Sequence, residues 1–279
     1  MTVAAYEERE FPMTVDDYNS IVKLSAEYTG IALNESKKNM IYSRLARRIR
    51  DLKLKNFTEY ISYLTKHKDD ELSDFVNTIT TNLTSFFRES HHFDYLSSKV
   101  ISELKRKHQT DQRIRIWSAG CSSGQEPYSI AMSLQRAGFP SSWDVKVLAT
   151  DLDSNVLQKG KTAIYDQEDI DGVDEKYIKG YILQSDKNSD IRIKDTIRKY
   201  VTFKRLNLFE PWPMKGPFDV IFCRNVVIYF DKPTQRQLFD KYADMLDVGG
   251  YLFIGHSENL HGICDRFEHL GHTIYRKIK

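Results

Sequence analysis

The spacing of apolar residues changes near residue 110. Before that point it follows a helical period. Thr14 is placed to cap a helix starting at Val15, and Gly30 stands just past its end. A second helix is predicted over Lys37–Lys55, a third capped by Thr58 and running through Leu64, and a fourth from Glu71 to about Asn82. After Ser90 a longer helix carries Phe93, Leu96, Val100, Ile101 and Leu104 at helical spacing and links the two halves. From Ile114 onward strands alternate with helices, as in a parallel α/β sheet. The strands fall near Ile114–Ser118, Val145–Thr150, Phe218–Arg224 and Tyr251–Gly255. Helices are expected after residue 124, after Asp153, after Pro233 and after His261. Asp247-Val248-Gly249-Gly250 reads as a helix stop, and Thr273–Lys277 as an antiparallel edge strand.

Between about 170 and 205 the rhythm breaks. Tyr177–Leu183, Ile191–Lys194 and Tyr200–Arg205 read as short strands around the turn-forming Ser185–Asp190. They predict a small β insertion. The organisation expected is a helical domain over residues 1–90, then an α/β domain over 91–279.

The most informative stretch is Arg115–Tyr128, a buried strand running into a small-residue loop and a helix start. Gly120 and Gly124 lack Cβ atoms, so their backbone can turn tightly and a ligand can approach closely. The loop is Gly-x-x-x-Gly, not the Gly-x-Gly-x-x-Gly of dinucleotide sites, and it ends in Glu126. An acid would repel a pyrophosphate but attract an ammonium group. That favours S-adenosylmethionine, whose methionine end carries an amine, over NAD. Asp151 ends the next predicted strand, about 25–30 residues on, where an acid reaches ribose hydroxyls. Asp151 is also followed by Leu-Asp-Ser-Asn, so helix capping is the competing assignment. A third strand, Phe218–Cys223, empties into Arg224-Asn225 and then Tyr229. Open α/β sheets hold ligands at such carboxyl ends. The plainer alternative makes Asn225 a turn residue and Tyr229 a core aromatic.

Charge adds one feature. Residues 36–55 carry Lys37, Lys38, Arg44, Arg47, Arg48, Arg50, Lys53 and Lys55 against the single acid Asp51. On a helix, Lys37, Arg44, Arg48 and Lys55 fall within about 40° of one another. Ile41, Leu45, Ile49 and Leu52 form the adjacent apolar face. The helix is expected to dock on a core and to offer a positive ridge, with Arg47, to an acidic partner; a solvated basic face is the plainer alternative. No aromatic residues interleave it as in a nucleic-acid stacking platform.

Composition excludes several classes. A net charge of +2 exerts no global pull on nucleic acid. Cys121, Cys223 and Cys264 form no CxxC pair, so neither a disulfide framework nor a zinc site is indicated. The N-terminus is acidic without an apolar core, which argues against a signal peptide, and no run reaches the roughly 18 apolar residues of a membrane span. A cytoplasmic protein is expected. Neighbouring residues on a helix point about 100° apart, so His91 and His92 are not read as a chelating pair. His256-Ser257 lacks a nucleophile elbow, so hydrolase chemistry is not expected.

Four stretches resemble one family. Ala119–Ser129 and Phe222–Asp231 are similar to two signatures of the CheR chemotaxis-receptor methyltransferases, Thr81–Glu89 to a third and Gly255–Glu258 to a fourth. The resemblance spans nearly the whole chain. It implies a Rossmann-like α/β S-adenosylmethionine-dependent methyltransferase sheet with a small antiparallel β insertion, preceded by an all-helical N-terminal domain. It implies methyl transfer to glutamates on the cytoplasmic helical bundle of chemoreceptors, without a metal, and recruitment to receptor arrays. By the family pattern Asn82, Thr84 and Arg88 reach over the cofactor from the N-terminal side, and Gly120 belongs to its loop. Glu126 holds the amine and Asp151 the ribose. Asn207 and Leu208 line the adenine, and Arg224 and Asn225 lie beneath the cofactor. Arg88 and Tyr229 sit nearest the transferred methyl group, and the basic helix faces the receptor. Gln125 stands where Glu is frequent, leaving Glu126 as the acid of the loop. Members that tether to a receptor's C-terminal pentapeptide carry a glycine-rich hairpin in the β insertion. Leu183–Ile191 has no glycine and is polar and charged, which argues against tethering.

Overall fold

Two separate cores account for the apolar residues. The computed structural model describes residues 9–184 and 190–279. They divide into two compact units between Thr81 and Asn82. The predicted turn at Ser185–Ser189 lies outside the described residues.

The first unit holds helices α1 (Val15–Thr29), α2 (Lys38–Asp51), α3 (Phe57–Lys66) and α4 (Lys68–Ile79). Thr14 caps α1 through a capping box with Asp17, and Gly30 ends it in the left-handed region, as expected. Ile41, Leu45 and Ile49 on α2 are fully buried with Phe57, Tyr60, Leu64 and Phe75. Other boundaries differ. Helix α2 stops at Asp51, short of Lys55. Lys53 takes a φ of +57°, and the N–H groups of Lys53 and Leu54 turn back to the carbonyls of Arg50 and Ile49, both at 3.0 Å. This Schellman closure uses a lysine where glycine is usual, so composition gave no stop signal. Asn56, not Thr58, caps α3 by accepting the Glu59 N–H at 2.8 Å. Thr58 instead donates its hydroxyl to Asp17 at 2.7 Å.

In the second unit, α5 (His91–Tyr95) continues through one π-helical turn, Leu96–Val100, into α6 (Ile101–Lys107). There follow β1 (Arg113–Ala119), α7 (Gln125–Ala137), β2 (Asp144–Asp151), α8 (Ser154–Thr162), β3 (Ile164–Asp166), α9 (Glu175–Ile178), β4 (Ile182–Gln184) and β5 (Asp190–Ile193). The chain closes with α10 (Asp195–Arg198), β6 (Val201–Arg205), β7 (Phe218–Cys223), α11 (Lys232–Met245), β8 (Leu246–Ile254), β9 (Phe267–Gly271) and β10 (Ile274–Lys277).

Seven strands form the main sheet in the order β6-β2-β1-β7-β8-β10-β9. Its first five strands are parallel, and β10 runs antiparallel to β8 and β9. Every residue of β7 is buried, as a central parallel strand covered on both faces requires. A three-stranded antiparallel sheet, β3-β5-β4, forms the insertion.

The insertion is assembled differently from expectation. Val201–Arg205 belongs to the main sheet beside β2, and Ile164–Asp166 supplies the third strand. Tyr177 lies on helix α9, where its ring stacks on Phe87 with centroids 4.5 Å apart. No helix follows His261, where the chain makes turns. Thr273–Lys277 does yield an antiparallel strand, but β9 covers it and forms the edge.

Candidate active site

The carboxyl ends of β1, β2 and β7 lie side by side along one edge of the main sheet, where open α/β sheets hold ligands. Gly120 follows β1 with a φ of +86°, and a Cβ there would lie 2.3 Å from Val226 Cγ2. The glycine therefore permits both the turn and the close approach of the loop after β7. The N–H groups of Gly120 and Cys121 both donate to the Thr150 carbonyl, at 2.8 and 2.9 Å. They lock the loop to the end of β2.

Glu126 sits in the first turn of α7 and is buried. Its carboxylate accepts the Ser118 hydroxyl at 2.7 Å and Arg224 Nη1 at 3.2 Å. Burial raises its pKa, and the Arg224 charge opposes that shift without cancelling it. Arg224 is itself buried. Its Nη2 donates to the Arg88 carbonyl and lies 3.3 Å from Glu89 Oε2. Arg88 Nη1 donates to the Leu83 carbonyl at 2.9 Å.

Asp151 ends β2. It accepts the N–H of Ser122 at 2.8 Å and of Asp153 at 3.0 Å. Burial nevertheless pushes its pKa up to about 6. Asp153, not Asp151, caps α8. Asn82 donates to Asp153 at 2.7 Å, and its carbonyl accepts the Ser122 hydroxyl at 2.9 Å. Thr84 is half-buried on the same segment. Leu206, two residues before Leu208, donates its N–H to the Asp151 carbonyl at 2.9 Å. Asn207 and Leu208 are buried beyond it.

Asn225 has a φ of +58°, and the loop it begins is organised by Glu258. That buried carboxylate accepts the N–H groups of Asn225 at 3.0 Å, Val227 at 2.9 Å, Ile228 at 3.3 Å and Gly255 at 2.6 Å. Burial raises its pKa against those four donors. Tyr229, half-buried, ends the single 3-10 turn this arrangement fixes. Gly255 has no room for a side chain, since a Cβ would meet Asn225 Nδ2 at 2.4 Å.

Five of the predicted residues thus gather into two hydrogen-bonded groups. Asn82, Ser122, Asp151 and Asp153 form one, and Ser118, Glu126, Arg224, Arg88 and Glu89 the other. Ser118 and Asp153 were not anticipated as site residues, and Ser122, Glu89 and Glu258 were visible as parts of motifs but had no assigned task. The rings of His91 and His92 stand 4.2 Å apart between centroids, although neighbouring helical positions point about 100° apart.

The positive ridge of the first unit needs a larger correction. Arg48 donates from Nε to Glu71 at 2.9 Å and from Nη2 at 2.6 Å, and also reaches Asp74. Tyr60 adds a hydroxyl to Glu71 at 3.0 Å. The bond to Glu71 raises the Arg48 pKa further. Arg44 donates to the carbonyls of Thr78 and Thr80, and Arg50 pairs with Glu10. Compensating acids therefore exist, on α4 and at the chain start instead of on α2. Lys37 is half-buried, and Arg47 and Lys55 are exposed, but Lys55 lies past the end of α2.

The crevice's donor set suits S-adenosylmethionine. Two carboxylates raised by burial favour a ligand that brings an ammonium group and paired hydroxyl donors. The sequence matches the family model of the CheR methyltransferase SAM binding domain over residues 82–276 and that of the CheR methyltransferase all-alpha domain over residues 16–80. It is 40% identical over 252 residues to a probable chemotaxis protein methyltransferase of Rhizobium etli, spanning 88% of this chain and 94% of that protein. It is 40% identical over 275 residues to the chemotaxis protein methyltransferase of Borreliella burgdorferi, spanning 95% of each. Against the Escherichia coli chemotaxis protein methyltransferase identity is 38%, over 94% of this chain and 91% of that one. The chain belongs to the CheR methyltransferase family, as an S-adenosylmethionine-dependent methyltransferase of chemotaxis.

Proposed function

We propose that the enzyme methylates glutamate side chains on the cytoplasmic helical bundle of chemoreceptors, forming glutamyl methyl esters. The observation that carries this reading is the pair of carboxylates, Glu126 in the first turn of the helix after β1 and Asp151 at the end of the adjacent parallel strand β2. Glu126 holds the cofactor's amine and Asp151 its ribose hydroxyls. Asn207 and Leu208 line the adenine, and Asn82 and Thr84 cover the crevice from the segment before α5. Asn225, fixed by Glu258, forms the floor beside Gly120.

When bound, S-adenosylmethionine supplies a sulfonium methyl group, which passes to the glutamate oxygen as sulfur keeps the carbon–sulfur electron pair. A glutamate has an ordinary pKa near 4.3 and arrives ionised. The chain therefore needs no general base, and no metal takes part in the transfer. What its residues must do is align the carboxylate and keep water out. Orientation of reacting groups can supply up to about 7–11 kcal/mol. Arg88 orients the incoming carboxylate through paired N–H donors, and Tyr229 shapes the methyl channel. Arg224 fixes the Arg88 backbone while pairing with Glu126, so one guanidinium supports both halves of the reaction. Arg47 and its basic neighbours meet the acidic receptor helices. No helix of the described residues is long and apolar enough to cross a membrane, consistent with an enzyme recruited to receptor arrays in the cytoplasm without insertion. The polar Leu183–Ile191 stretch supports receptor binding without a pentapeptide tether.

Labelled S-adenosylmethionine, incubated with the enzyme and chemoreceptor-containing membranes, is expected to give label on the receptor that mild base releases as methanol. Label that survives base would sink the ester assignment, and absence of label would sink the substrate assignment.

A further inference from the structure

Two buried acceptors face each other beside Arg224. His92 is fully buried. Its Nε2 lies 2.9 Å from the His272 carbonyl and 3.1 Å from the Thr273 hydroxyl. A carbonyl only accepts, so Nε2 carries the ring proton. In the neutral ring this leaves a bare lone pair on Nδ1. That atom stands 3.6 Å from Glu89 Oε2, and neither has a hydrogen-bond partner among the described residues.

The 3.6 Å separation is too long for a hydrogen bond between them. Each buried acceptor is therefore left unmatched, which is costly. Arg224 compensates Glu89 only in part, because it also serves Glu126. Two carboxylates against one guanidinium leave one negative charge.

A third ligand stands alongside. Glu89, His91 and His92 each place one ligand atom within 4.8 Å of the others. His91 is exposed, so its side chain can close the remaining distance. His256 Nδ1 already occupies the other carboxylate oxygen, Oε1, at 2.9 Å, which leaves Oε2 facing the histidines.

We propose that Glu89, His91 and His92 form a binding site for one divalent transition-metal ion of the zinc or nickel type. Two imidazoles and a carboxylate suit such ions, whereas magnesium and calcium prefer oxygen ligands throughout. The bond from His92 Nε2 to the His272 carbonyl is the outer-shell contact that metal-bound histidines make, and it fixes the tautomer with Nδ1 free. The site shares Arg224 with Glu126 and so adjoins the group assigned to the cofactor's amine, but the proposal does not depend on that assignment.

The test uses the full chain, freed of any affinity tag and stripped with chelator, titrated with Co²⁺ by visible absorption and with Zn²⁺ by calorimetry. One equivalent of each ion is expected to bind, with Co²⁺ bands of nitrogen–oxygen coordination. His91→Ala, at an exposed position, keeps the fold and should lower both affinities by at least ~10-fold. His92→Gln should do the same, with its folding checked by circular dichroism. Failure to bind either ion overturns the proposal. So does binding that His91→Ala leaves unchanged in affinity and spectrum, and so does a nitrogen NMR spectrum showing His92 Nδ1 protonated at neutral pH.

Discussion

The carboxylate of Glu258 accepts the backbone N–H of Asn225 at 3.0 Å, joining the end of β7 to the loop after β8. It takes three further backbone donors, so this side chain gathers most of the 225–228 loop's N–H groups, while Gln235 holds the Val227 carbonyl at 2.9 Å. Glu258→Gln sets an amide N–H₂ against backbone N–H groups. The expected cost is about 1–3 kcal/mol of stability, with weaker binding of S-adenosylhomocysteine. Thermal unfolding and a binding titration check both. An unchanged titration would show that the loop does not depend on this carboxylate.

Gly120→Ala should damage the same crevice from the other side. Its φ of +86° is strained for any residue with a Cβ, and that atom would lie 2.3 Å from Val226 Cγ2. Strain of this kind costs on the order of 1–3 kcal/mol. A lower unfolding temperature and reduced binding of S-adenosylhomocysteine are expected together.

Asp151 predicts a pH dependence. Its folded pKa of about 6 lies above the ordinary 3.8, so the cofactor-free protein holds an extra proton relative to the unfolded chain between those values. The stability contributed by this group is therefore full below about 3.8 and lost as pH rises through about 6. Binding runs the other way, because ribose hydroxyls donate to the ionised form. Affinity for S-adenosylhomocysteine should fall as pH drops below about 6, by up to about tenfold per unit. In Asp151→Asn the affinity should be low and the slope near pH 6 lost. A wild-type profile without this slope would remove Asp151 from the ribose site.

For Arg88→Ala, turnover should fall about 100-fold, the scale of a misaligned reacting group, with a smaller loss of cofactor affinity. Arg88→Lys should recover little, since an ammonium lacks the planar fork. Single-turnover rates with saturating receptor measure the first effect. Intact turnover and affinity in Arg88→Ala would refute the orienting role.

Two neighbouring arginines should separate structure from recognition. Arg48→Met leaves Glu71 buried without its cation, which typically costs about 3–5 kcal/mol, and should lower the unfolding temperature. Arg47→Glu, at an exposed position, should leave stability unchanged while raising KM for receptor, most clearly at low salt. Equal unfolding temperatures for the two variants would contradict the pairing.

The parts of the fold written in local signals were legible. Thr14 and Gly30 bound α1, the alternation at Val145–Thr150 gave β2, and the Gly120 loop with Glu126 and Asp151 located the crevice. What escaped depends on contacts distant in sequence. The acids that pair with Arg48 lie on α4, so counting charge along α2 could not find them. Lys53 closes a helix without glycine. Phe267–Gly271 became a strand by pairing with β10, and Tyr177 turned helical against Phe87. Glu89 and His92 stand three residues apart, but the tautomer that leaves His92 Nδ1 bare requires the carbonyl of His272, which no local pattern announces.

The crevice draws on Asn82, Asp151, Arg224 and Glu258, so its pieces are synthesised across most of the second unit. A nascent chain that has just completed β7 has its acid-lined crevice only as fragments, because the carboxylate that gathers the amides of Asn225, Val227 and Ile228 has not yet been translated. Competence to take up the methyl donor is thereby deferred until Glu258 has emerged, and a product terminated before it lacks the group that shapes the loop.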